Sequence, residues 1–406
     1  MKRFLHILLS LALLLPAVSC DKWFSSKAEK RMVLLYIAAT EASLSPYAEG
    51  NVTDMLREYV PQKNSKKEEL LVFFQMRDTD SPTKRSDATL KRYYTANNGK
   101  VAEELISNFG NEFNAADPES FSQVLALAES TCQPTYRSLL ISSHGTGWLP
   151  VGYFDANNGE SVMSILPKTK AYSRMQVRES IGYDSNTRDE IDIRAFARAL
   201  GAYKWESVLM DCCYMGTVEV AYQIKDCCDY MIGSPTEILI TGFPYTVILD
   251  QLFNHPGREG LENICEAYYQ LYQGQSGALQ SGTIALVCCG ELDALAGICA
   301  EIIATDRSDM QDVVRNNVQH YFYNAKKDYF FDLAHYFETF ATSSQYARFA
   351  TQLDKAVPYK AATAKFLGVE MVHFSGLSCY IPSESYPKLN AYYAQLDWNQ
   401  KVKVIE

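Results

Sequence analysis

A histidine and a cysteine, each at the end of an apolar run, are the residues of this chain best placed to do chemistry. Ser138-Leu139-Leu140-Ile141-Ser142-Ser143 runs into His144-Gly145-Thr146-Gly147-Trp148, and Val208-Leu209-Met210 runs into Asp211-Cys212-Cys213-Tyr214-Met215-Gly216. A thiol is a poor nucleophile until it loses its proton, and a nearby imidazole with electropositive backbone N–H groups supplies the thiolate. Such sites form where a strand ends and a helix begins, because helix N–H groups point at the ligand there. Cys213 falls at that junction, between the run over 208–210 and a helical pattern over 216–224. Alternate residues of a strand share a face, which predicts Asp211 and Cys213 on one side and Cys212 on the other. Asp211 then lies near the reacting centre, where it can receive a cationic substrate side chain, and Cys212 reads as a core thiol. Gly145 has no Cβ, so its N–H can approach a substrate carbonyl. With the N–H of Cys213 it forms a candidate oxyanion hole, worth ~2.7–4 kcal/mol per donor. Trp148 either walls the cleft or packs.

For the two side chains to meet, their strands must be parallel neighbours ending at one sheet edge, and the rest of the chain reads that way. Arg31 to Ala39 is a continuous apolar run of the kind found in central parallel strands. A helix is expected over 53–59, a second strand over 70–76 and a short helix within 97–110. Asp117-Pro118-Glu119 opens a helix with an N-cap residue, Pro at the first position and an early acid. The histidine strand follows it. After an exposed excursion over 155–190, helical periodicity returns over 192–200. The cysteine strand, a helix over 216–224 and a strand tip over 230–234 come next. Strands alternating with helices predict an α/β fold, a central mostly parallel sheet covered on both faces. Beyond residue 250 the text is helical and aromatic. Strand-like stretches return at 283–288 and 376–381, expected to rejoin the main assembly.

The composition sets limits on partners and compartment. The chain has 406 residues, 47% apolar, with a formal net charge of −10. That length supports a large core plus an added lobe, and the lack of a basic patch or arm argues against nucleic acid. Lys2 and Arg3, the apolar stretch Leu5 to Leu15 and Pro16-Ala17-Val18-Ser19-Cys20 form a secretory signal. Small residues directly before Cys20 resemble the bacterial lipoprotein signal, in which that cysteine is lipid-modified and becomes N-terminal. No later run reaches the ~20 apolar residues of a membrane span, so any membrane contact is expected through a lipid anchor. The 11 cysteines include the adjacent pairs Cys212-Cys213, Cys227-Cys228 and Cys288-Cys289. Most sit in apolar runs as buried thiols. Without regular C-x-x-C spacing no structural zinc site is expected, whereas one or two disulfides remain open, with partners unnamed.

Taken together, Ser143-His144-Gly145-Thr146-Gly147-Trp148 and Asp211-Cys212-Cys213-Tyr214-Met215-Gly216-Thr217-Val218-Glu219-Val220-Ala221-Tyr222 resemble the two signature blocks of the clostripain family of cysteine peptidases (peptidase family C11, clan CD). Val33-Leu34-Leu35-Tyr36, the unit from Asp117 to Trp148, Ser234-Pro235-Thr236-Glu237 with Gly242-Phe243-Pro244-Tyr245, and Ser375 to Pro382 resemble further blocks in the same order. The resemblance spans roughly residues 31–385.

What the resemblance implies is a caspase-like α/β/α sandwich that cleaves peptide bonds after Arg, or Lys. His144 would be the base, Cys213 the nucleophile and Asp211 the wall of the pocket for the basic P1 side chain. Glu237 is a candidate second pocket acid and equally a surface residue. The resemblance also implies self-cleavage in the loop after the histidine strand. Lys168, Lys170, Arg174 and Arg178 are the basic residues there, and Lys170-Ala171 is the preferred bond. No cofactor is required. Calcium is implied by the resemblance alone, since no EF-hand-type loop is present. The expected organisation is a signal peptide over 1–20, a tether over 21–30, a peptidase core over 31–250 and a mainly helical C-terminal lobe over 251–406. The expected product is an exported, monomeric peptidase of the bacterial cell envelope. The alternatives are a catalytically silent surface lipoprotein that uses the fold as a binding module, an amidase or transpeptidase using the same pair, and a structural lipoprotein.

Overall fold

The computed structural model describes residues 29–406 apart from 41–43, 79–83, 154–183, 185–186, 188, 306–314 and 323–327. The signal segment with Cys20, and the basic loop with Lys168, Lys170, Arg174 and Arg178, lie outside the described residues.

Nine strands form one sheet in the order β10-β8-β7-β6-β5-β1-β2-β3-β4. Its centre is parallel. β1 (Arg31–Ala39) lies between β2 (Glu68–Met76) and β5 (Tyr136–Ser142), and β6 (Trp205–Asp211) and β7 (Cys228–Gly233) continue the parallel run. Strands buried on both faces must be apolar at successive positions. In β1, Met32, Leu34 and Tyr36 enter one core while Val33, Leu35 and Ile37 enter the other. The first face is covered by α2 (Pro118–Cys132), α3 (Ile193–Leu200) and α4 (Val218–Ile224), which contribute Phe121, Phe196 and Val220. The second is covered by α1 (Ser45–Met55), α5 (Tyr245–Asn254) and α6 (Arg258–Gln273), which contribute Ala48, Ile248 and Ile264. Of the helix expected over 53–59 only 53–55 are helical: α1 starts earlier, with Pro46 in its first turn, a position that suits Pro, and ends at Met55.

The segment expected to hold a short helix within 97–110 is a strand. β3 (Ala88–Thr95) turns through Asn98-Gly99, with Gly99 at φ +75°, into β4 (Val101–Gly110). Asn-Gly is the strongest short hairpin signal because both residues tolerate positive φ. Cross-strand pairs Lys91–Glu103 at 2.7 Å and Arg92–Glu104 at 2.6 Å hold the register. Glu103 and Glu104 are thus the partners of β3.

Residues beyond 250 do not form a separate body. β8 (Thr283–Cys288) pairs antiparallel with β7, and after α7 (Leu292–Thr305) β10 (Tyr359–Ala362) pairs with β8, so both extend the main sheet. Between them lie β9 (Phe331–Asp332), α8 (Leu333–Glu338) and α9 (Ser343–Ala356), and beyond them the short hairpin β11 (Lys365–Phe366) and β12 (Val369–Glu370). The expected strand over 376–381 is only β13 (Ser378–Cys379), which pairs with β9 outside the main sheet. The terminal helices α10 (Pro387–Tyr393) and α11 (Asp397–Val402) bring Tyr393 and Trp398 into the same core as Phe196 and Val220. A boundary at 250 therefore cuts through one sheet and one core. No described helix is long and apolar enough to cross a membrane.

Candidate active site

β5 and β6 are parallel neighbours with Ser142 opposite Asp211, so both apolar runs end at the same edge. Two residues beyond each register partner stand His144 and Cys213. Both line one cleft of about 730 Å³, together with Asp211, Glu237, Ile238 and Gly242. The Ser143 hydroxyl donates to the Ala38 carbonyl at 2.8 Å, and the Ser143 N–H donates to the Asp211 carbonyl at 3.4 Å. The chain is thereby fixed one residue before the imidazole.

The loop carrying Cys213 is over-determined. Tyr214 takes φ +59°, a conformation an L-residue adopts at a cost unless its surroundings hold it. Its N–H donates to Thr236, its hydroxyl donates to Glu237 at 3.0 Å, and its ring stacks on Phe330 at 4.5 Å. Gly216 N–H donates to Ser234, and Ser378 N–H donates to Gly216. A Cβ on Gly216 would stand 2.5 Å from the Pro235 nitrogen, so only glycine fits. Thr217 then caps α4 through Val220 N–H at 3.1 Å.

Cys212 and Cys213 both border the cleft but differ in exposure. Cys212 is buried with its thiol toward Ile141, whereas Cys213 is half-buried in the cleft. Ile238 N–H donates to the Cys213 sulfur at 3.3 Å. Burial pushes the thiol well up from its usual range, the Glu237 carboxylate adds to that, and the Ile238 N–H partly opposes both.

Asp211 is buried rather than open. It accepts from the Tyr245 hydroxyl, from the Phe243 N–H and, at 3.5 Å, from Ser142. Burial nevertheless raises its carboxyl to about 6. Gly242, at φ +70°, lets the wall approach, since a Cβ there would lie 2.8 Å from the Asp211 carboxylate. Glu237 is not a surface residue; it is 2% exposed and lines the same cleft. Tyr245 and Ile238 are the neighbours of these groups that residue types alone did not point to. The Gly242-Phe243-Pro244-Tyr245 turn was the available signal.

Gly145 has a different reason for being glycine than free access to a carbonyl. A Cβ there would fall 2.5 Å from the Cys213 carbonyl oxygen and 3.0 Å from its nitrogen. The two loops are in backbone contact at this point. Trp148 does not wall the cleft; it is fully buried between Tyr380 and Tyr393, with ring centroids at 4.8 and 4.9 Å.

One trio among the described residues brings metal-type ligand atoms together, His335, Glu338 and His373, all within 4.8 Å. It lies outside the cleft lining. The two imidazoles are stacked, with centroids 3.6 Å apart and planes within 15°, and His335 Nδ1 accepts the Gln319 N–H at 3.0 Å. Imidazole lone pairs lie in the ring plane, so rings stacked in parallel planes do not converge on one ion.

The profile of the clostripain family, peptidase C11, matches residues 35–403. A search of curated proteins gives no match. Among solved structures, an inactive zymogen C11 protease from Parabacteroides distasonis is 27% identical, with a TM-score of 0.74, covering 92% of this chain and 98% of its own. A secreted C11 cysteine protease from Bacteroides thetaiotaomicron, iotapain, is 26% identical with the same TM-score, covering 92% and 99%. The likeness extends over both the parallel sheet and the C-terminal helices, so the caspase-like α/β/α architecture is shared throughout. With the profile spanning nearly the whole chain and the cleft at the strand edge, this chain belongs to the clostripain family of cysteine peptidases.

Proposed function

We propose that the protein is an exported endopeptidase that cleaves after Arg, or Lys, with Cys213 as nucleophile and His144 as base. The observation that carries this is the register of Ser142 on Asp211. It brings one imidazole and one half-buried thiol to a single cleft whose floor is a buried carboxylate. The substrate's basic side chain enters beside Asp211, with Glu237 as a second acid. A cation there stabilises the Asp211 carboxylate, whose burial is otherwise unfavourable. Cys213 passes its proton to His144 as its sulfur attacks the carbonyl carbon. The N–H groups of Gly145 and Cys213 hold the oxyanion. His144 protonates the leaving amine, and water frees the acyl-enzyme. The pair acts as a dyad and needs no cofactor; calcium dependence is read by chelation and re-addition.

Self-cleavage at Lys170 and lipidation of Cys20 belong to the same proposal. N-terminal sequencing of the mature fragments and acyl labelling of a Cys20→Ser variant check them. The central test is incubation with an Arg-directed covalent thiol inhibitor followed by peptide mapping. Label on Cys213, blocked by an Arg-containing peptide, is the expected result. Label elsewhere, or none on a folded chain, overturns the assignment and leaves a silent binding module.

A further inference from the structure

We propose that Cys228 and Cys289 are a disulfide site that staples the antiparallel side of the sheet. Their sulfurs lie 3.6 Å apart, and both residues are buried, 1% and 2% exposed. Among the described residues this is the one pair of cysteines in sulfur contact. Cys228 opens β7 and Cys289 directly follows β8, and the two strands pair antiparallel with Tyr230 opposite Cys288. The pair is thus one residue off direct register across neighbouring strands. Cys289 already lies in the turn beyond β8, and its sulfur needs to move only from 3.6 Å to about 2.05 Å to bond. The adjacent thiols are directed elsewhere: Cys227 donates to the Ala197 carbonyl at 3.4 Å, and Cys288 is half-buried and faces away from the core that takes Cys289.

The chemistry is thiol–disulfide exchange. The Cys228 thiol loses its proton and attacks a small disulfide oxidant such as glutathione disulfide, releasing one thiol. Cys289 then displaces the second, so the two cysteines are oxidised and the oxidant is reduced to two thiols. In the folded chain the contact with Cys289 raises the Cys228 thiol, together with burial. Exchange therefore proceeds before β8 seats on β7, and the closed bond is afterwards shielded from reductant. The supply of oxidant rests on the proposed export; the site itself does not.

The ring so closed runs from 228 to 289 and contains α5, α6 and the cleft wall from Glu237 to Gly242. Its staple stands at the amino end of β7, roughly 20 Å along the strand from the cleft edge at ~3.3 Å per residue. Stability should respond to it, and turnover should not.

The test is refolding of the chain in a glutathione redox buffer, blocking of free thiols, and non-reducing digestion with mass mapping. A linked peptide two hydrogens lighter, assigned by fragmentation to Cys228 and Cys289, is expected. The oxidised chain should melt several degrees above the same chain with reductant. Cys228→Ala and Cys289→Ala should melt at a temperature that reductant does not move, with wild-type turnover. Quantitative alkylation of all ten described thiols, or a link through Cys227 or Cys288, overturns the proposal. The mass map needs no variant and no activity, so it stands apart from the peptidase assay.

Discussion

The Tyr245 hydroxyl, at the start of α5, donates to the Asp211 carboxylate at the end of β6. The acid that closes β6 is thus held by a side chain of α5, behind the cleft lining. A hydrogen bond to a charged group contributes about 1.5–3 kcal/mol. Tyr245→Phe removes it and should push the Asp211 carboxyl up by about 1–2 units. The pH profile of kcat/KM for an Arg-linked reporter should then move to higher pH, with KM rising more than kcat falls. An unmoved profile separates Asp211 from P1 binding.

Asp211→Asn tests the carboxylate directly. With the folded value raised to about 6 against an ordinary ~3.9, the folded protein holds this proton where the unfolded chain has lost it. Stability therefore falls as pH rises from ~4 to about 6, by about 3 kcal/mol in total. The Asn variant should lack that fall and be the more stable protein above pH 6. It should also lose about 10²-fold or more in kcat/KM for basic P1 substrates, since an unpaired cation would be left in a buried site. Denaturant melts at pH 4 and pH 7 with a P1 library read both effects.

Replacing Cys213 by Ala should remove turnover by about 10⁴-fold or more, with the melt little changed. Cys212→Ala should retain activity and lose on the order of 1 kcal/mol of stability through the small cavity left beside Ile141. Reversed results would exchange the roles of the two thiols.

Much of this site could be read from residue types because strand chemistry is local. The apolar runs before His144 and Cys213 had to be interior parallel strands, and their shared edge followed. Of the two adjacent thiols, Cys212 is the buried one, as a core thiol should be. The burial of Glu237 was not legible. It depends on Tyr214, whose φ of +59° and hydroxyl bond are imposed by Phe330 and Thr236 from distant parts of the chain. The hairpin of β3 and β4 was missed for the opposite reason. Its Asn98-Gly99 signal was present, but the charges in 101–104 have partners only once β3 lies alongside.

Gly145→Ala places a methyl 2.5 Å from the Cys213 carbonyl. One loop must shift, which overpacking data put at about 1–3 kcal/mol. A displacement of this kind should cost about 10²-fold in kcat. The loss should exceed the loss in KM, as checked by steady-state kinetics alongside a melt.

Glu219 sits buried in the first turn of α4. It accepts from Tyr380 N–H at 2.8 Å and from the Tyr393 hydroxyl at 3.0 Å, and burial raises its carboxyl to about 7. The sign is that of Asp211: stability should fall from pH ~4.3 to about 7, by on the order of 3 kcal/mol. Glu219→Gln should flatten that slope, measured by urea unfolding across the range.

The bonds from Ser378 to Gly216 and from Tyr380 to Glu219 join positions 161–162 residues apart along the chain. The turn that carries Cys213, already tied to Ser234 and Thr236, therefore gains this second set of braces only once residues 378–380 have been made. A chain that stops short of residue 378 lacks both of these late bonds, to Gly216 and to Glu219, and keeps only the nearer half of the frame around Cys213.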